Sequence, residues 1–400
     1  MAAMTRVLLA AAAIIAWPAT APPTLPRLFL LDAARLAASR AAIARHDAAV
    51  AAAWDALRAE ADTALTVARF SVVDKPVTPP SGNRHDYLSQ APYFWPDPSR
   101  PDGKPYIRKD GVRNPEIERI TDHRAVDGLV ANTQTLALAY YLSGDERYAA
   151  KAASLLRAFF IDPATRMNPH LRYAQFVPGV NDGRGIGLIE TRALVRVVDA
   201  VGLIAGSEAW RADDDRAVRD WFDAFLAWMR DSPNGRDESN ARNNHGSFYD
   251  VQVVAYALFL DRRDVAAGVV DAAKQRRIAT QIEPDGRQPL ELARTNAWGY
   301  SVMNLDGLTE LATLGERAGV DLWHFATPDG CGLRRALLFL APYAFGEKKW
   351  AFEQINGFNG AALFPPLRRA AAHYDDAEFR AVAIRVPPIA PADRRNLTGE

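Results

Sequence analysis

Asn243-Asn244-His245-Gly246 and Arg294-Thr295-Asn296-Ala297-Trp298-Gly299-Tyr300 lie about fifty residues apart and together offer an amide, an imidazole, a fixed cation and a phenol. That set suits one reaction class: removal of a proton from the carbon beside a carboxylate, then loss of the oxygen on the next carbon. The barrier is the poor acidity of that carbon. Charge must flow into the carboxylate as an enolate, and donors aimed at it lower the barrier. Asn244 with His245 supplies an amide and an imidazole for this task, and Arg294 adds a charge that cannot be titrated away. Tyr300 is the candidate base and acid. A free phenol titrates near 10, and a neighbouring guanidinium and imidazolium are expected to lower it. The six-residue gap between Arg294 and Tyr300 separates them on a regular helix, so a bend at Trp298-Gly299 is expected to join them.

Each residue has a plainer alternative. Asn-Asn-His-Gly at a helix start reads equally as an N-cap with a packed histidine. Tyr300 alone reads as a core or rim residue, and Arg294 alone as the partner of a carboxylate such as Glu291. Their co-occurrence is what favours chemistry. A uronic-acid polymer presents the required carboxylate, with the proton on C5 and the leaving oxygen on C4. One phenol can serve both steps when proton and oxygen share a face of the sugar, as in mannuronate and glucuronate but not guluronate.

Further candidates surround this pair. Tyr93, Trp95, Tyr173 and Trp298 could stack on sugar faces, although aromatic residues also dominate cores. Gln175 and Arg184 could bond hydroxyls or a carboxylate. Asn243 competes with Asn244 for the carboxylate, His170 is an alternative base, and His123 could face the same cleft from a helix start. Lys348-Lys349 reads as solvated surface.

The elements that must position these groups are mostly helical. From Leu31 to about Phe70 the chain is alanine-rich, with apolar residues at three- and four-residue spacing. Prolines at 76, 79, 80, 92, 96, 98, 101, 105 and 115 exclude a long helix from 71–118. That stretch is an extended segment of the kind that usually carries function. Helices are predicted at 121–142, 146–161, 186–205, 209–230, 245–260, 263–281, 302–318, 329–345 and 363–375. Short polar turns such as Ser143-Gly144-Asp145 make antiparallel helical hairpins. The only strand-like alternation falls at 382–389, and a poorly ordered tail is predicted from Pro387 on, 391–400 above all. The irregular stretches 168–185 and 282–300 could line one cleft together with Asn243–His245 and the 83–118 segment. The fold class is all-α: one domain over 22–390, an incomplete toroid or barrel of stacked antiparallel hairpins.

Composition narrows the function. The chain has 400 residues, 49% hydrophobic and 24% charged, with 48 basic and 48 acidic side chains. Zero formal charge argues against a nucleic-acid binder but leaves room for an acidic ligand held by local arginines. Residues 1–21 read as a secretory signal: a basic start, the apolar run Val7–Trp17, and Ala19-Thr20-Ala21 as a cleavage site. The alternatives are a membrane anchor or a buried first helix. Export to the periplasm or the cell exterior is expected. The single cysteine, Cys331, allows no internal disulfide and reads as packed structure. No metal motif, phosphate loop or nucleophile elbow occurs.

The chain resembles the alginate lyase superfamily of polysaccharide lyases. The stretches that carry the resemblance are Tyr93-Phe94-Trp95-Pro96-Asp97-Pro98, Asn114-Pro115-Glu116, Asn168 to Gln175, Gly183-Arg184-Gly185, Asn243-Asn244-His245-Gly246, and Arg294 with Tyr300. The resemblance implies an (α/α) toroid and β-elimination without a cofactor or metal. It assigns carboxylate neutralisation to Asn244 and His245, gives the family's arginine to Arg294 and its tyrosine acid/base to Tyr300. The implied partner is an anionic uronate polysaccharide or oligosaccharide, mannuronate-rich alginate first and glucuronan second, since the longer-chain branch is associated with both. A glycoside hydrolase on a similar toroid would need two cleft carboxylates, and Asp182, Glu190, Asp250 and Glu291 form no recognisable pair. A non-catalytic glycan-binding protein is the third reading.

Overall fold

The computed structural model describes residues 25–399. The signal expected at 1–21 lies outside the described residues. Two helices open the fold, α1 (Ala33–Ala44) and α2 (Ala48–Ala64). The alanine-rich stretch breaks between them because His46 takes a positive φ of 55° and Asp47 caps the next helix. The extended segment carries three short strands, β1 (Leu88–Gln90), β2 (Phe94–Trp95) and β3 (Ile107–Arg108), with β2 and β3 antiparallel. Then come α3 (Asp122–Ser143), which stops at Gly144 with φ 77°, and α4 (Glu146–Leu156). β4 (Tyr173–Phe176) pairs in parallel with β1 and so ties the 168–185 stretch to the extended segment.

The predicted helix at 186–205 is a 3₁₀ run over its first half and α5 (Val195–Ile204) over its second. α6 (Ala212–Asp231) and α7 (Pro233–Ser239) meet at Ser232, which caps α7 ahead of its proline. α8 (Asn244–Phe259) is followed by α9 (Arg263–Ala273), a π turn at 274–278, and α10 (Ala279–Gln281). α11 (Pro289–Leu292) leads into α12 (Ala297–Ala318), and α13 (Leu333–Ala344), α14 (Phe364–Ala371), α15 (Ala377–Ala383) and α16 (Arg395–Thr398) complete the order.

α3, α5, α8, α12 and α14 pack side by side in that order, and α4 and α9 back onto the first and third of them. α8 is the most enclosed of them. In α8 every residue but His245 is buried, as a helix sandwiched between layers must be. Phe160, Trp221, Phe222, Phe225 and Tyr256 fill the space between α6 and α8 in edge and tilted contacts. Each such buried ring contributes about 2–3 kcal/mol. This is the all-α open toroid that the pattern of hairpins predicts.

Two predictions are corrected at the C-terminus. No strand forms at 382–389; α15 ends at Ala383 and a loop follows. The stretch from Pro387 is ordered rather than loose. Leu397 is fully buried and its carbonyl accepts from the Ser39 hydroxyl at 2.8 Å. Arg394 bonds Thr135 of α3 at 3.0 Å and pairs with Glu60 of α2, while Arg368 of α14 donates to the Pro387 carbonyl at 2.6 Å. The tail therefore spans the gap between α14 and α3, because its arginines find fixed acceptors there. Cys331 is buried and unpaired, as expected of a packed thiol. Among the described residues no helix is long and apolar enough to cross a membrane.

Candidate active site

α8 begins where Asn243 folds its side chain back to accept the His245 N–H at 3.2 Å. The N-cap reading of this cluster is therefore realised, but it does not exhaust it. His245 is the one partly exposed residue of α8, and its Nδ1 lies 2.9 Å from the buried Glu238 carboxylate. That bond fixes the ring and leaves Nε2 without a partner among the described residues. Burial pushes the Glu238 carboxyl up, against the pull of His245, and Glu238 Oε2 has no partner among the described residues.

Gly246 is required by packing. A Cβ there would stand 2.1 Å from the Ala241 carbonyl oxygen and 2.6 Å from the Arg277 guanidinium. Arg277 forms a buried pair with Asp250 at 2.8 Å and donates to the Ala241 and Ser239 carbonyls. It thus fastens the turn that presents Asn243 to His245.

Asn244 points inward. Its backbone N–H and its amide donate to the two oxygens of buried Glu291, at 2.6 and 2.8 Å, and its Oδ1 is buried without a partner. Burial pushes the Glu291 carboxyl up; the Asn244 donors, Arg294 and His245 act against that rise. Of the two asparagines it is Asn243 that stays partly exposed, with its amide nitrogen unbonded among the described residues.

Arg294 and Tyr300 do meet, but the bend lies earlier than expected. α12 already starts at Ala297, and Arg294 sits before it, so the turn at 293–296 folds the guanidinium onto the phenol. The guanidinium carbon is 3.8 Å from the Tyr300 ring centroid, a cation–π contact. Arg294 bridges Asp110 with two bonds of 3.0 and 2.8 Å, not Glu291. Burial opposes ionisation of Asp110, but Arg294 and Thr295 outweigh it and hold the carboxyl well below its usual range. Arg294 therefore enters the site with its charge already matched.

The Tyr300 hydroxyl donates to the Tyr93 hydroxyl at 2.8 Å. Burial pushes this phenol well above the ordinary range; Tyr93 adds to the rise, and Arg294 only partly opposes it. The predicted lowering is thus corrected: desolvation outweighs the cation in the free protein. The extended segment is held over this corner by Tyr93, by Asp110, and by Gly111, where a Cβ would stand 2.5 Å from the Thr295 hydroxyl.

The remaining candidates divide. Arg184 donates to Gln175 at its carbonyl and amide oxygens, 3.1 and 2.9 Å, and lies over the Phe94 ring. Burial, with Arg108 nearby, lowers it to about 10, while Glu190 and Glu238 support its charge. Gln175 is buried, at a positive φ of 50°. His123 lines a small cavity of about 180 Å³ with Ser89, Gln90 and Glu190. Trp95 donates to the Val112 carbonyl, and the Lys109 ammonium covers one of its faces.

Two stacking candidates are corrected. Trp298 is 2% exposed, donates to the Asn359 carbonyl and packs against Trp350 and Phe358, so it offers no face to a sugar. Tyr173 is buried with Leu88 and Ile120. His170 pairs with Asp86 at 3.1 Å beside the Tyr173 and Trp228 rings, with no bond to Tyr300 or His245. Burial lowers its pKa, against the pull of Asp86.

Sequence reasoning missed the three acids that hold the site, Glu238, Glu291 and Asp110, in these roles. Three of the four acids named for a hydrolase are committed elsewhere, Asp250 to Arg277, Glu291 to Asn244, and Glu190 to Tyr87 and Ser89, and Asp182 is exposed.

An open helical ring with a phenol packed under an arginine and an imidazole held by a buried acid points to the polysaccharide lyases that use this toroid. Comparison with known proteins places the chain among them. The alginate lyase family profile matches residues 71–350. The chain belongs to that family and is a polysaccharide lyase. A crystallised alginate lyase from Bacteroides ovatus is 38% identical, with TM-score 0.89 over 94% of this chain and 100% of that one. Alginate lyase A1-III from Sphingomonas species A1 shares the fold at 16% identity and TM-score 0.55, over 92% and 95% of the two chains. A variant of A1-III complexed with a tetrasaccharide matches at 14% identity and TM-score 0.58, over 94% and 97%. A search of curated proteins gave no match.

Proposed function

We propose that this lyase cuts a β-1,4-linked uronate polymer, mannuronate-rich alginate first, by β-elimination with Tyr300 as base and then acid. The observation that carries the reading is the Tyr300 hydroxyl, bonded to Tyr93 and packed under Arg294. In the reaction the C5–H and C4–O bonds break, a C4=C5 double bond forms, and no water is consumed. His245 Nε2, the free amide of Asn243 and the open Nη1 of Arg294 are the donors available to the carboxylate. Asn244 supports them from behind, because its backbone N–H and amide tie the start of α8 to buried Glu291.

Tyr300 must lose its own proton first, and the bond to Tyr93 is the path open to it. Once it holds the C5 proton it can return it to the departing C4 oxygen on the same sugar face. The 38% identical relative is described as an alginate lyase, which supports alginate over glucuronan. The basic and apolar start of the sequence supports action outside the cytoplasm.

A panel of polymannuronate, polyguluronate, glucuronan and hyaluronan, read by ultraviolet absorbance of unsaturated uronate ends, tests the substrate. Absorbance with polymannuronate is expected first. New reducing ends without absorbance would sink the elimination reading. Tyr300→Phe is expected to lower turnover by about 10²–10⁴-fold while binding of the polymer persists. Full activity in that variant moves the base to His245 or His170.

A further inference from the structure

We infer that the central cavity of the toroid is a second anion-binding region, in which Arg192 takes a carboxylate of a uronate unit beyond the cleaved linkage. This rests on the lyase reading above. The cavity is about 670 Å³ and is walled by five arginines, Arg192, Arg196, Arg369, Arg394 and Arg395, against three acids. Gly299 and Glu310 both line it, so it follows α12 for about 16 Å at 1.5 Å per residue. Gly299 is the chain neighbour of Tyr300.

The arginines are not equivalent. Arg196 pairs with Glu310 at 2.5 Å, Arg369 with Asp306 at 3.2 Å, Arg395 with Asp393 at 2.5 Å, and Arg394 with Glu60. A ligand carboxylate could recruit these only by breaking a pair, and a stranded partly buried acid is costly. Arg192 forms no ion pair among the described residues. It donates from one nitrogen to the Ile189 carbonyl at 3.1 Å, rests 5.7 Å from the Phe248 ring centroid, and is exposed. Its remaining donors are a fork suited to a carboxylate.

Position makes Arg192 more than a loose surface charge. It lines both this cavity and the smaller one formed by Ser89, His123 and Glu190. The walls of the two cavities include Gly299 and Pro92, the chain neighbours of Tyr300 and Tyr93. Phe248, which Arg192 covers, is one turn along α8 from His245, so Arg192 stands at a junction between the site and both cavities. A polymer bearing one carboxylate per sugar, with its reacting unit at Tyr300, would bring a neighbouring carboxylate to that junction. A neutral glycan has nothing to place there.

The test measures binding in Tyr300→Phe, which separates affinity from turnover, with saturated mannuronate dimers and hexamers and a neutral mannose hexamer. Adding Arg192→Gln is expected to weaken hexamer binding about ten- to a hundredfold, the loss of a charge-assisted contact. Arg192→Lys should recover part of it, and dimer binding should move less than hexamer binding. Hexamer affinity unchanged within twofold in Arg192→Gln overturns the proposal and leaves the lyase reading standing. Equal affinity for the neutral hexamer also overturns it. Absence of unsaturated product from the unsubstituted enzyme with every uronate polymer would instead remove the reading on which it rests.

Discussion

Tyr300 keeps its proton in the free enzyme, because burial and Tyr93 raise its pKa further than Arg294 lowers it. The sign of the pH dependence follows. Below its pKa the phenolate fraction rises tenfold per pH unit, so a Tyr300 base predicts kcat/KM still climbing with a slope near one on the alkaline side of neutrality. A plateau just above the imidazole range would assign the base to a histidine. Glu238 governs the other half of the site. It is buried and takes His245 Nδ1, which frees Nε2 for the substrate. Glu238→Gln removes the carboxylate charge on Nδ1 that supports the ring with both nitrogens protonated, the form in which Nε2 donates while Nδ1 is held. Turnover should fall about a hundredfold, with a displaced pH profile and an unchanged melting temperature; equal loss of fold and activity would mean the acid is only structural. His245, Arg294 and Tyr300 were legible in the sequence because imidazole, guanidinium and phenol advertise chemistry by type. Their acids were not. Glu291 reaches Asn244 from 47 residues away and Asp110 reaches Arg294 from 184, and carboxylates are too common to single out. Glu238, seven residues before His245, was the one within local reach.

Helix length and spacing were legible at several ends that a local signal marks. Asp145 and Asn243 cap their helices with a side-chain bond, and Gly144 and Gly319 end theirs in the left-handed region; Asp47 and Ser232 cap in the same way, yet the break before α2 and the short α7 were not predicted. α12 was placed five residues late because Asn296 makes no capping bond. Its first turn is held from outside, by the Glu353 carbonyl on Ala297 and the Gln354 amide oxygen on Trp298, and no sequence window shows that. The extended segment was recognised by its prolines, but its pairing with β4 and its hold on Arg294 are tertiary. Gly246 joins element and site. Gly246→Ala forces a methyl to within 2.1 Å of the Ala241 carbonyl, so the start of α8 must move away from Arg277. A cost of about 1–3 kcal/mol is expected, seen as a lower unfolding temperature together with lost activity. An unaltered midpoint would mean the 239–243 turn yields freely.

The ring is completed by residues whose composition gave no sign of order. Pro387 onward is polar and lacks helical periodicity, which is why looseness was expected there. Arg394, buried Leu397 and the Leu397 carbonyl secure it to α1, α2 and α3, partners that no local pattern reveals. Leu397→Ala should cost about 2–5 kcal/mol, the range for an apolar truncation in a packed site. Limited proteolysis should then cut first within residues 25–64; unchanged resistance would show that α1 and α2 hold without the tail. Order of synthesis gives this fastening a further meaning. Ser39 waits for a partner 358 residues downstream, which at about 5–20 residues per second is on the order of tens of seconds. Throughout that interval the apolar sides of α1 and α2 lack one of their covers. The emerging chain is therefore most open to aggregation or to a holding chaperone at its beginning, and that exposure ends only when the strand of residues around Leu397 is made.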